Sequence, residues 1–208
     1  MTPEIVARDV RALGARFEIA GTLVEAVPYG SGHINETHAA VYDDGGRRRR
    51  YIHQRINGHV FREPERLMDN VARVLAHAAD KLHGQPDADR RTLSLVAARD
   101  GRPYVIDDEG TLWRTYHFVE RAHTYDIVET PAQAAAAAAA FGEFQQVLAD
   151  LPGTRLHDTI PDFHHTRRRY EAFVTALVAD VHNRAAGARD VVDFALAVFQ
   201  ADEDLERT

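Results

Sequence analysis

The chain has 208 residues, enough for one domain or two small lobes around a sizeable core. A formal net charge of −7 and a pI near 5.9 argue against nucleic acid or an anionic membrane as partner. The absence of cysteine excludes a disulfide framework and thiolate metal sites and fits a reducing cytoplasm; no apolar signal-peptide core or membrane-length run occurs.

In chain order, the spacing of Ile5, Val6, Val10, Leu13 and Phe17 predicts a helix over Pro3–Arg16, with Thr2 as N-cap and Pro3 at its first position. Phe17–Val27 mixes β-branched and apolar residues and reads as a strand. Tyr29-Gly30-Ser31-Gly32-His33-Ile34-Asn35-Glu36-Thr37 follows as a loop whose glycines allow a sharp turn and close approach to a ligand. His38–Tyr42 reads as the returning strand, and Asp44-Gly45-Gly46 as a hairpin turn. The third strand carries Arg55 near its end. Alternation puts Tyr51, His53 and Arg55 on one side and Ile52, Gln54 and Ile56 on the other. Arg47–Arg50, in an acidic chain, reads as a solvated hairpin tip rather than a nucleic-acid patch.

Pro64 opens a helix in which Leu67, Met68, Val71, Val74, Leu75, Ala78 and Leu82 repeat at helical intervals, and Gly84 closes it. Leu93–Val96, Pro103–Ile106 and Leu112–Val119 read as strands, the first two joined by a turn at Arg99-Asp100-Gly101. The alanine run Ala134–Ala140 predicts a long helix from Pro131, with Phe141 and Phe144 packing on a core. Further helices are expected over Asp162–Val181 and Asp190–Leu205. His157, His164 and His165 do not have a spacing that demands a metal, so none is assigned.

A strand, a glycine loop, a returning strand, and a third strand with one cation form the arrangement that holds a nucleotide triphosphate in kinases. The longer strings are narrower. Gly-Ser-Gly-His-Ile-Asn-Glu-Thr from Gly30, Tyr51-Ile-His-Gln-Arg-Ile-Asn57 and Val60-Phe-Arg-Glu-Pro-Glu-Arg-Leu-Met-Asp-Asn70 closely resemble the N-acetylhexosamine 1-kinases, within the aminoglycoside phosphotransferase and choline kinase group. The resemblance resumes at Trp113–Glu120 and again from Phe141 to His164.

The resemblance implies an α+β, protein-kinase-like fold. Residues 1–120 would form a small lobe of antiparallel sheet plus one long helix, and residues 121–208 the first helices of a helical large lobe. It implies that Gly30, Ser31, Gly32, His33 and Asn35 cover the phosphates of ATP, that Arg55 pairs with them, and that Phe118, Val119 and Glu120 form a hinge against the adenine. Lys81 is the only lysine, so arginine must supply that third-strand charge; an Arg55 turned to solvent is the alternative. Asp69 matches the helix carboxylate that would meet Arg55. By helical angle it falls opposite the apolar stripe, which leaves a solvent-facing acid as the other reading.

Kinases of this group also carry a His-x-Asp loop, followed by an asparagine and a metal-binding aspartate, which orient the nucleophile and hold Mg²⁺. No stretch here matches that loop, so the expectation is a truncated kinase of doubtful activity alone, with no catalytic residue assigned and the Mg²⁺ ligands elsewhere. The expected partners are a nucleotide and a small sugar. The open alternatives are a kinase acting on choline, homoserine or an aminoglycoside, and a non-catalytic nucleotide-binding fragment.

Overall fold

The computed structural model describes the backbone of residues 10–206 and the side chains of residues 10–199. The helix expected over Pro3–Arg16 lies partly outside that range; within it, residues 10–14 are helical. Five strands form one antiparallel sheet: β1 (Thr22–Pro28), β2 (Glu36–Asp44), β3 (Arg47–Arg55), β4 (Val105–Ile106) and β5 (Leu112–His117), in the order β1-β2-β3-β5-β4. With its helices it makes an α+β protein.

The β2–β3 hairpin is set by Gly45 and Gly46, both at positive φ (62° and 91°). Such a two-residue turn has the twist of the flanking strands and fixes the register from Asp44↔Arg47 to Glu36↔Arg55. The strand expected from Phe17 starts only at Thr22, because Phe17 makes a single bridge to Ala98 and is fully buried. A register shift between Leu23 and Glu25 lets Leu23 and Ala26, three residues apart, both enter the core.

Leu93–Val96 is not a strand. Leu95 bridges once to Tyr116, with the Val96 N–H on the Thr115 carbonyl (2.8 Å) and the His117 N–H on the Ser94 carbonyl (3.0 Å). Just beyond, the Ala97 carbonyl turns to Glu18 and the Ala98 N–H to Arg102, so the pairing with β5 does not extend into a ladder.

The two faces of the sheet carry different cores. One packs Ala40, Tyr42, Tyr51 and Trp113 against Val10, Leu13 and Phe17. On that face the His53 imidazole, wholly buried, bridges the Tyr42 hydroxyl (3.1 Å from Nε2) and the Thr115 hydroxyl (2.8 Å from Nδ1). The other face packs Ile56 and Leu112 against Met68 of helix α1 (Pro64–Leu82). Proline at the first position and Gly84 at φ +76° bound this helix as expected. A short helix α2 (Ala88–Arg91) follows.

Helix α3 (Pro131–Leu148) starts with a capping box between Thr130 and Gln133. The expectation that Phe141 and Phe144 pack is corrected here: they are 71% and 48% exposed, and no residue of α3 is buried. Alanine is helical by propensity and needs no core to be so.

The chain divides into two compact units, Met1–Thr159 and Ile160–Thr208. Within the first, polar bonds tie the end of α3 and the stretch after it to α1. Arg73 donates to the carbonyls of Pro152 (3.2 Å) and Thr154 (2.7 Å), and His77 lies 3.0 Å from the Val147 carbonyl. Within the second unit, helices α4 (Thr166–Ala179) and α5 (Arg189–Glu206) bring Tyr170 and Phe199 into stacked contact at 3.7 Å between ring centroids. α4 begins four residues later than expected, because His165 caps it and Asp162 sits at φ +58°. No helix among the described residues is long and apolar enough to cross a membrane.

Candidate nucleotide site

The loop between β1 and β2 is fastened at its root. The Tyr29 N–H donates to the Thr37 carbonyl (2.9 Å), closing the strand pair. Asn57, just past β3, donates its backbone N–H to Asn35 Oδ1 and its side-chain amide to the Ile34 carbonyl, both at 3.0 Å. Between these anchors Gly30, Ser31, Gly32 and His33 are exposed, and their N–H groups have no hydrogen-bond partner among the described residues. Gly30 stands at φ +85°, a conformation that glycine adopts freely and other residues rarely. Consecutive unpaired N–H groups around such a residue are the makings of an anion-binding nest.

The loop meets the segment after β5. The Tyr29 ring lies edge-on to Phe118 at 5.5 Å, and the Ser31 hydroxyl donates to Asp126 Oδ1 at 3.0 Å. On Phe118 also rests the Arg50 guanidinium, 3.8 Å above the ring. Arg50 grips Glu120 with two N–H groups, Nε to Oε1 at 2.9 Å and Nη2 to Oε2. That hydrogen bond raises the Arg50 pKa and holds the Glu120 carboxyl below the usual range, but both side chains are solvated, so the pair stabilises only weakly. The Glu120 carbonyl is taken by Arg90.

The structure thus sets Tyr29 and Ser31 of the loop against Phe118 and Asp126, with Glu120 joined to Phe118 through Arg50, while Asn35 is held by Asn57. Arg55 stands at the root of the loop, on the face of Tyr51 and His53. It pairs with Glu36 (3.8 Å) and Glu109 (3.5 Å) and donates to Thr111 (3.1 Å). Asp69 does not meet it. α1 packs on the opposite face of the sheet, and Asp69 bonds Arg73 (3.9 Å) and His157 Nε2 (3.1 Å). Beside it Asn70 exchanges two bonds with the His157 backbone (2.8 and 2.9 Å), so this end of α1 anchors the stretch after α3.

Sequence reasoning missed Arg50, Gln54, Arg114 and Asp126. Arg50 is exposed with the rest of the hairpin tip, and alternation puts it on the face of Ile52 and Gln54, opposite Arg55. On that face the Gln54 amide donates to Thr37 (2.9 Å) and its oxygen accepts from Arg114 Nε and Nη2 (3.0 and 2.7 Å). Asp126 lies in an irregular stretch where no pattern could mark it.

No family model matches the chain. Among solved structures, an aminoglycoside phosphotransferase from Alicyclobacillus acidocaldarius is similar with a TM-score of 0.49 and 14% identity, over 82% of this chain and 43% of that one. A spectinomycin phosphotransferase, solved in complex with ADP and spectinomycin, is similar with a TM-score of 0.46 and 11% identity, over 97% of this chain and 59% of that one. The chain thus spans less than two thirds of the length of either.

Proposed function

We propose that this chain is the nucleotide-holding part of a small-molecule phosphotransferase, and that the acceptor is an N-acetylhexosamine phosphorylated at its anomeric hydroxyl. The observation that carries the reading is the meeting of the glycine loop with the segment after β5. Tyr29 lies on Phe118 and Ser31 bonds Asp126, while the N–H groups of residues 30–33 stay unpaired. In this reading those N–H groups bind the phosphates of ATP, and Phe118, clamped by Arg50, offers an apolar face to the adenine. Arg55 exchanges Glu36 for a phosphate oxygen, a charge-assisted bond in either state. The sugar class rests on the motif resemblance alone, and a panel of sugars, choline, homoserine and aminoglycosides separates the acceptors.

ATP supplies the γ-phosphoryl group. No group of three or more histidine or acidic side chains that could hold a metal occurs among the described residues, and none of them is assigned to Mg²⁺. The chain's own residues bind and orient the nucleotide.

Titration with a fluorescent ATP analogue, competed by ATP, tests the reading. Saturable binding is expected, weakened roughly tenfold by Gly30→Val, since a β-branched residue at φ +85° costs about 1–2 kcal/mol. Arg55→Ala is expected to weaken ATP by about 1–3 kcal/mol. Unchanged affinity in Arg55→Ala would leave Arg55 to its protein partners Glu36, Glu109 and Thr111, and no saturable ATP binding would overturn the whole reading.

A further inference from the structure

A cavity of about 680 Å³ lies between α1, β5 and α3. Its apolar wall is built by Val71, Val74 and Leu75 of α1, Leu93, and Phe144 and Val147 of α3. The size and lining are those of a small-molecule site rather than of a packing defect. None of the residues of the glycine loop or of Phe118–Glu120 lines it, and Arg90 at its edge joins it to the carbonyls of Glu120 and Arg121.

One charge in that wall has no counter-ion. Arg114 is largely buried, and its polar contacts are Nε and Nη2 on the Gln54 oxygen, a long approach of Nη1 to the Met68 sulfur (3.9 Å), and the face of Tyr116 at 5.2 Å. No carboxylate stands within ion-pair distance of it among the described residues. Burial depresses its pKa, as expected for a cation removed from water without a partner. A guanidinium does not deprotonate in proteins, so its charge stays in the wall and stays uncompensated. The other charged groups at the cavity are Arg90, which serves backbone carbonyls, and Arg91, which pairs with Glu143 (3.2 Å). Three guanidiniums against one carboxylate leave the cavity cationic.

We propose that this cavity binds a small amphipathic anion, with its apolar body between α1 and α3 and its carboxylate or phosphate on Arg114. Gln54 holds the guanidinium at Nε and Nη2, and only the weak, 3.9 Å approach to the Met68 sulfur engages Nη1, so the Nη1–Nη2 edge is the one a ligand's anionic oxygens would take.

Calorimetric titration of the 208-residue chain with decanoate, and with the uncharged decan-1-ol as control, tests this. Decanoate is expected to bind saturably and at least tenfold more weakly to Arg114→Met, with decan-1-ol unchanged within twofold. Ala140→Trp, at an exposed position of α3 on the cavity wall, is expected to abolish binding of both without touching the buried guanidinium. It keeps the test open if Arg114→Met fails to fold, which thermal unfolding reports. Equal loss of decanoate and decan-1-ol in Arg114→Met, decanoate binding unaffected by either substitution, or no saturable binding at all would each overturn the proposal. None of these outcomes bears on ATP binding at the glycine loop.

Discussion

Phe17, Tyr51 and His53 of the sheet region are almost wholly buried, while α3, rich in alanine and carrying two phenylalanines, buries nothing completely. Both regions are apolar in composition. In the sheet, period-two alternation directs alternate side chains to a face that another layer covers, and polar groups sent inward find partners, as His53 does in Tyr42 and Thr115. In α3 alanine propensity and the Thr130–Gln133 box specify a helix, and the bonds that locate it run through polar atoms, His77 of α1 and Arg91 of α2. Apolar content makes a helix or a strand possible. A core needs a second surface to complete it.

The sharpest way to break this contrast is to truncate one aromatic in each region. Phe17→Ala is expected to cost about 3–5 kcal/mol of unfolding free energy, and Phe141→Ala no more than about 0.5 kcal/mol. Denaturant melts of the two variants check it, and equal losses would mean that α3 is covered as the sheet is.

A pH titration sharpens the same point at smaller amplitude. Burial, and then the neighbouring His38, lowers the His53 pKa from 6.5 to about 4. The unfolded chain therefore takes up this proton first as pH falls, so the stability His53 contributes is complete above pH 6.5 and is lost progressively towards pH 4. The expected loss is about 2 kcal/mol between pH 7 and pH 5. Partial burial, and then Arg49, lowers the His117 pKa too, adding in the same direction. His53→Gln should flatten most of this slope in thermal melts taken across that range; an unchanged slope would place the titrating group elsewhere.

Smaller still is the effect of the α3 cap. Thr130→Ala is expected to cost about 1 kcal/mol, read as fraying of the first turn of α3 by amide exchange, with the sheet unaffected.

Much of this was legible from sequence where a local rule acts alone. The Gly45-Gly46 turn, the Pro64 start and Gly84 stop of α1, and the alternation along β3 follow from residues next to one another. What could not be read depends on the far side of the molecule. Phe17 leaves the strand because Ala98, eighty-one positions away, offers a bridge. Arg50, exposed as the hairpin tip is, also packs on Phe118 and pairs with Glu120, partners that lie some seventy positions along the chain. Asp69 and Arg55, which the motif resemblance pairs, sit with α1 and the sheet between them, and each finds a nearer ion partner.

Amide hydrogen exchange with and without saturating ATP tests the account of the nucleotide site most directly, because it reads the loop and the segment after β5 separately in one experiment. The account predicts that ATP slows exchange at residues 29–36 and at 118–121 together, with α4 and α5 unchanged. Exchange that ATP leaves unaltered in both segments would contradict it.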